Sequence, residues 1–281
     1  MRWRNLLDRS ADERRTLLCI GLDTDMERLR REGAGHLTQF EINREIVQNT
    51  WETAAAYKLN MAFYEAEGAG GISDLKKTVD LIKEEHPEIL VILDAKKGDI
   101  GNTSKAYARA AFRHLNVDSV TLNAYMGRDA VDPFSEDPDR LSFVLCRTSN
   151  RAASEVQDHG DEEKMYIRMA RLVKKWNDNG NLGLVVGATF PEEISTVRSV
   201  VGNDMPILVP GVGAQGGDLS KVLELGTDEK GGNVLINVSR GIMFAFSKDD
   251  APVSDLGSYS KEAARSYCDD IKEELERCGR W

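Results

Sequence analysis

Residues 88–96 read EILVILDAK. A short run of aliphatic and β-branched residues is the pattern of a strand, and here it ends on the charges of Asp94 and Lys96. Seven more segments of the same kind recur along the chain. They are LLCIGLD (17–23), AAYKLNMAF (55–63), SVTLNAY (119–125), LSFVLCRTS (141–149), NLGLVVGAT (181–189), MPILVPGV (205–212) and NVLINVSR (233–240). Most are bounded by Gly, Pro, Asp or Asn, as strands are. Between most of them, residues 41–54, 71–86, 101–115, 162–178, 191–200 and 218–225 mix apolar and charged positions at helical spacing. The 126–138 connection is short and polar and gives a weaker helical pattern. A last amphipathic stretch, roughly 259–277, can close a ring. Strands alternating with helices imply right-handed βαβ units and a parallel sheet. Eight such units within 281 residues predict an α/β protein of the (β/α)8 TIM barrel type, one domain over 1–281. A doubly wound open sheet is the alternative, and the count of eight favours the barrel. No linker or low-complexity tract divides the chain.

The formal net charge is −10. Nucleic acid and anionic membrane are therefore not expected partners, because phosphate surfaces need a basic face. An anionic small ligand needs only a local cluster of positive groups. The four cysteines, Cys19, Cys146, Cys268 and Cys278, form no CxxC pair and no ligand spacing with histidine. No disulfide framework and no metal site are expected. The start of the chain, MRWRNLLDRSADERR, lacks the apolar run of a signal peptide, and no stretch approaches a membrane span. A cytoplasmic protein is the expectation. His36, His86, His114 and His159 fall on presumed helices or polar loops and read as surface or packing residues, while Cys19 and Cys146 lie inside apolar strands and read as core.

In a barrel of this type the strand ends and the loops after them build the active site. The first strand ends in Asp23 and the second carries Lys58. The third carries Asp94 and Lys96, with Asp99 just beyond. Asn123 ends the fourth, Thr148-Ser149-Asn150 the fifth, and Ser239-Arg240-Gly241 the eighth. Asp94 and Lys96 are two apart, so strand alternation turns both inward beside Lys58, with Leu93 and Ala95 facing the helices. Buried charge is costly unless paired, and an alternating array of Lys58, Asp94, Lys96 and Asp99 could satisfy itself. Such an array marks a site or, alternatively, a structural ion-pair network filling the barrel. The seventh strand runs into Pro210-Gly211-Val212-Gly213-Ala214-Gln215-Gly216-Gly217. Glycines expose backbone N–H groups where barrels commonly bind phosphate, and Arg240 could add a bidentate contact. A tight turn is the plainer reading of the glycines alone. Residues 150–165 are polar and long for a loop between strand and helix, as functional loops often are.

The run Asp94-Ala95-Lys96-Lys97-Gly98-Asp99-Ile100-Gly101-Asn102-Thr103 resembles the DxKxxDIxxT signature of orotidine 5′-phosphate decarboxylases. Tyr57-Lys58-Leu59-Asn60-Met61-Ala62-Phe63-Tyr64-Glu65 looks like that family's second-strand motif. Gly21-Leu22-Asp23, Pro210-Gly211-Val212-Gly213 with Gln215, and Ser239-Arg240-Gly241 match in order and spacing, so the likeness spans nearly the whole chain. It is nearest to the bacterial subgroup with GDIGNTS after the lysines. One departure is Arg151-Ala152, where the family usually continues Pro-Gly.

The resemblance implies a cofactor-free decarboxylase of pyrimidine biosynthesis that makes uridine 5′-phosphate. It implies that Lys58, Asp94, Lys96 and Asp99 are catalytic, with Asp94 against the substrate carboxylate and Lys96 giving a proton to C6. Asp23 and Lys58 would hold the ribose hydroxyls. Ser149 would contact the pyrimidine, and Pro210, Gln215, Arg240 and Gly241 would line the phosphate end. Asp99, Ile100 and Thr103 would reach into a partner's site, making a homodimer with shared active sites. Two other readings stand beside this one. Metal-dependent relatives of the same superfamily share the Asp-x-Lys-x-x-Asp pattern but carry an acidic metal ligand on the second strand, where this chain has Lys58. A catalytically silent phosphoribosyl-binding protein would not need the complete Lys-Asp-Lys-Asp set.

Overall fold

The computed structural model describes all residues except 213–216 and 250, and only the backbone of 248 and 249. Eight parallel strands close into a barrel in sequence order. They are β1 Leu18–Gly21, β2 Ala56–Asn60, β3 Leu90–Lys97, β4 Ser119–Leu122, β5 Leu141–Arg147, β6 Leu182–Val186, β7 Ile207–Pro210 and β8 Val234–Val238. β1 completes the ring by pairing with β8 through Leu18↔Ile236, Cys19↔Asn237 and Ile20↔Val238. That closure rules out the doubly wound open sheet.

Alternation along the strands sorts their side chains into two layers. Cys19, Ala56, Leu90, Ile92, Leu141, Phe143, Val185, Leu208 and Leu235 belong to one buried cluster inside the barrel. Ile20, Tyr57, Leu59, Val91, Leu93 and Val120 belong to a second cluster, between the strands and the helices. Trp3, Leu6 and Leu7 of the helix Arg2–Asp12 join the inner cluster and plug the end of the barrel where the strands begin. Nothing in the strand-by-strand reading foresaw that plug. Toward the strand ends the lumen turns polar, with Lys58, Thr121 and Asn237 all buried.

The strands stop earlier than their apolar runs suggest. Asp23, Ser149 and Arg240 each stand two residues past the end of β1, β5 and β8, on connections freed from the ladder. The expected helices are present as Gln39–Thr50, Gly68–Glu85, Met165–Trp176, Pro191–Val201, Leu219–Gly226 and Leu256–Arg277. The first begins early because Thr38 and Glu41 form a reciprocal capping box. Over 101–115 the helix is regular only in Gly101–Arg109. It then widens into a π turn, Ala110–His114, with Leu115 N–H donating to Ala110 O at 2.9 Å. The 126–138 connection holds only the short turns Arg128–Ala130 and Asp132–Ser135. Short helices at Met26–Arg31 and Met61–Glu65 were not foreseen. No helix among the described residues is long and apolar enough to cross a membrane.

Candidate active site

Lys58 rises from the middle of β2 into the lumen and is 4% exposed. Its Nζ lies 3.1 Å from Asp94 Oδ2 and 3.5 Å from Asp23 Oδ1. Lys96 Nζ reaches the other oxygen of Asp94, Oδ1, at 2.7 Å. Thr121 of β4 donates to that same oxygen at 2.8 Å and accepts from the Lys96 N–H at 2.9 Å. One carboxylate is thus held by two ammonium groups and a hydroxyl.

The electrostatics follow from this geometry. Burial raises the cost of charge on Asp94, but Lys58 and Lys96 outweigh it, and hydrogen bonds from Lys96 and Thr121 add to them. The carboxyl is held well below the usual carboxylate range. Burial likewise opposes charge on Lys58, and Asp23 and Asp94 more than offset it, so its ammonium is held above the usual lysine range. Cys19 sits beneath them as a neutral thiol, pushed up to about 12 by burial.

Strand alternation does not explain how Lys96 meets Asp94. The pairing of β3 with β4 passes from Leu93↔Val120 to Lys97↔Leu122, so β3 carries extra residues in a bulge. Lys96 lies in the bulge with φ +47, in the left-handed region where a non-glycine residue is strained. Its side chain is 49% exposed and reaches Asp94 from the mouth rather than standing deep in the lumen. Gly98 lets the bulged strand close on β4, since a Cβ there would sit 2.4 Å from Asn123 O.

Asp99 does not join the array in its own chain. Its Oδ1 accepts from the Ile100 N–H at 2.8 Å, at the rim, because the chain has already left β3. Ile100 is 52% exposed, and Thr103 is exposed in the first turn of the helix Gly101–Arg109. Among the described residues, none of these three pairs with Lys58, Asp94 or Lys96.

A cleft of 530 Å³ opens over the array, lined by Asp23, Lys58 and Asp94 on one side and Pro210, Ser239 and Arg240 on the other. Pro210 ends β7, and Gly211 follows with φ +101. Gln215 lies outside the described residues. Arg240 opens the short turn Arg240–Met243, and Gly241 is pressed so close to the final helix that a Cβ would meet Tyr267 Oη at 2.6 Å. Ser149 stands at the mouth beyond β5, half-buried. Sequence reasoning missed Thr121, Asn60, Asn237 and Arg28. Of these, Asn60, Asn237 and Arg28 line the cleft, and the Arg28 guanidinium stacks 3.7 Å from the Phe244 ring centroid. Charge could have singled out Arg28, but a threonine or asparagine within a strand carries no such signal. A larger hollow of 720 Å³ lies at the opposite end and is lined by Asp8, Asp12, Asp204 and Asp228 beside Arg4 and Lys230. Its acidic lining is the wrong sign for a phosphate ester, and barrels of this type place chemistry at the other end.

An array of fixed opposite charges, with a cationic arm across the cleft, is suited to an anionic ligand whose charge changes during reaction. A sequence profile of the orotidine 5′-phosphate decarboxylase / HUMPS family matches residues 16–251. The chain is 46% identical over 265 residues to orotidine 5′-phosphate decarboxylase of Herpetosiphon aurantiacus, covering 91% of each chain. It is 44% identical over 273 residues to the enzyme of that name from an Azoarcus species, covering 95% of this chain and 100% of the relative. Among solved structures it is similar to Leishmania donovani OMP decarboxylase, with TM-score 0.82, 35% identity and 98% of both chains covered. With the closed barrel and the charged array already in place, these matches show that the chain belongs to the orotidine 5′-phosphate decarboxylase / HUMPS family.

Proposed function

We infer that this protein decarboxylates orotidine 5′-phosphate to uridine 5′-phosphate. The observation that carries the reading is the Asp94 carboxylate clamped between Lys58 and Lys96 at 3.1 and 2.7 Å. Loss of carbon dioxide from C6 of the pyrimidine leaves an electron pair in the ring plane, where no carbonyl can absorb it. Fixed positive charge is the remaining source of stabilisation, and Lys96 supplies it. In the reading we favour, the C6–carboxylate bond breaks, its electrons stay on C6, and Lys96 Nζ passes a proton to that carbon. Lysine then regains a proton from solvent.

Asp94 lies against the place the substrate carboxylate would take. Two carboxylates about 4 Å apart repel by about 4 kcal/mol at an effective dielectric of 20, and that repulsion ends as carbon dioxide leaves. Transition-state stabilisation by Lys96 is given the greater weight, because it acts on the charge that develops. Asp23 and Lys58 hold the ribose hydroxyls, and Ser149 meets the pyrimidine. Pro210, Arg240 and Gly241 form the phosphate end, remote from the breaking bond, and the family likeness assigns Gln215 the same ligand. Binding energy gained there aligns the ring over Lys96.

We place Asp99, Ile100 and Thr103 at an interface where each subunit lends them to its partner's site. The exposed side chains Ile100, Tyr107, Tyr125 and Met126 near the ends of β3 and β4 support that placement, since exposed apolar groups mark association surfaces.

The family also contains metal-dependent members, and the Lys58 ammonium is the wrong charge for a second-strand metal ligand. Loss of the ultraviolet absorbance of orotidine 5′-phosphate tests the reading directly. Turnover should occur and should survive exhaustive dialysis against a chelator. No turnover would sink the assignment, and activity lost to the chelator but restored by magnesium would move the chain to the metal-dependent branch.

A further inference from the structure

The connection after β5 is long and polar, yet its first residues are firmly held. Arg147, the last residue of β5, is 2% exposed. Its Nε donates to Glu193 Oε2 at 2.6 Å, its Nη2 to Asp158 Oδ2 at 3.2 Å and its Nη1 to Gln157 Oε1 at 3.3 Å. The Phe190 ring covers the guanidinium, with its centroid 4.8 Å away. Glu193 lies in the first turn of Pro191–Val201, and Gln157 and Asp158 lie at the end of the short helix Ser154–Gln157. One buried cation therefore ties the end of β5 to its own returning loop and to the loop after β6. Charge-assisted hydrogen bonds from all three nitrogens make this a rigid junction.

Gln157 carries the hold one residue further. Its Oε1 accepts from the Thr148 N–H at 2.8 Å, and its Nε2 donates to Thr148 Oγ1 at 2.7 Å. Thr148 Oγ1 in turn donates to Asn150 Oδ1 at 2.6 Å. Ser149 sits between these two clamped residues. On its other side the Gly187 N–H donates to Arg147 O at 2.8 Å, and a Cβ on Gly187 would lie 2.8 Å from Ser149 Cβ. Ser149 is thus confined from both sides before any ligand is present.

We propose that Arg147 and Gln157 are positioning residues that fix Ser149 for the pyrimidine ring. The proposal rests on the reading above that Ser149 contacts the pyrimidine. A serine on an unclamped loop would occupy its binding geometry only part of the time, and apparent affinity falls by that fraction. The clamp removes that loss. It acts on the base and leaves the phosphate and ribose contacts alone.

Calorimetric titration with uridine 5′-phosphate and with ribose 5-phosphate tests this. Ser149→Ala and Gln157→Ala should each weaken uridine 5′-phosphate by about tenfold, the scale of one hydrogen bond, and change ribose 5-phosphate by less than about twofold. The double variant should bind no worse than Ser149→Ala alone, because Gln157 acts through Ser149. Arg147→Met takes the partner from Glu193, leaves Asp158 only Lys164 at 3.6 Å and is liable to misfold, so the Gln157 variant carries the test. Should Ser149→Ala weaken the nucleotide while Gln157→Ala binds like wild type, the positioning role is overturned. Additive losses in the double variant, or equal losses for both ligands, overturn it too. If Ser149→Ala itself leaves nucleotide affinity unchanged, the fault lies in the role given to Ser149, and the proposal falls with it.

Discussion

Asp94 is ionised because two ammonium groups and a hydroxyl converge on its oxygens, not because it is exposed. Lys58 and Lys96 do different work in that arrangement. Lys58 is buried between Asp23 and Asp94, whereas Lys96 is half-exposed at the mouth where a substrate would arrive. Lys96→Ala should therefore still bind uridine 5′-phosphate but lose turnover by about 10³-fold or more, within the range of a missing general acid. A variant within tenfold of wild type would refute the proton-donor role. Lys58→Met should cost about 3–5 kcal/mol of stability, because it takes the ammonium from Asp23 and leaves Asp94 with only the half-exposed Lys96 and Thr121. The sign of its pH dependence follows from Asp94. A carboxyl held low in the folded state contributes stability that is fully present above its unfolded pKa of about 3.9. That contribution is lost as pH falls through the folded value. The deficit of Lys58→Met should be largest near pH 6–7 and shrink below about pH 4. Urea titrations at several pH values measure it, and a deficit that does not change with pH would assign Lys58 to packing alone. These residues were legible in the sequence as charges within or just beyond apolar strands. The strained backbone at Lys96 was not, because a bulge depends on how β3 registers with β4. Thr121 was hidden for a simpler reason, being a strand residue with no charge to single it out.

At the scale of elements, the strands were readable because apolar runs of strand length need no partner to be recognised. Their ends were not, since the ladder stops where neighbouring strands diverge and composition does not record that point. The capping box at Thr38 and Glu41 was present in the sequence and explains the early start of Gln39–Thr50. The helix Arg2–Asp12 was also legible, since Trp3, Leu6 and Leu7 recur at helical spacing. That spacing marks a helix but carries no sign that the helix closes the barrel. Trp3 is fully buried, and its indole N–H donates to Pro138 O at 3.2 Å. Trp3→Ala should cost about 3–5 kcal/mol. Turnover per folded molecule should stay near wild type, because the plug and the cleft lie at opposite ends of the barrel. A lowered melting temperature with unchanged kcat is the expected pair of results, and a large fall in kcat would couple the two ends. Arg240 heads its own short element, the turn Arg240–Met243. Arg240→Ala should weaken phosphate-bearing ligands by about 1.5–3 kcal/mol, the range of a hydrogen bond to a charged group, and change the free nucleoside little. Equal loss for both ligands would mean that Arg240 does not grip phosphate.

At the scale of the whole molecule, Asp99 stands apart from the array in its own chain: it lies at the rim, and its carboxylate accepts from its own backbone at Ile100. Around it, Ile100, Tyr107, Tyr125 and Met126 are exposed, an apolar surface on a chain whose net charge is −10. A two-fold dimer formed through this face would cover those side chains and build two equal sites, each with one borrowed carboxylate. Mixing Asp99→Ala subunits with Lys96→Ala subunits tests the arrangement. In a mixed dimer, the Asp99→Ala subunit keeps its own Lys96 and receives Asp99 from its partner, so that site is intact. The other site lacks Lys96 and receives the truncated residue, so it carries both lesions. Each parent dimer should be inactive, and each mixed dimer should recover up to half of the wild-type activity. If mass measurement shows that mixed dimers have formed and the mixture stays inactive, Asp99 serves its own subunit. In that case the loop after β3 would have to bend back toward Lys96 when substrate binds.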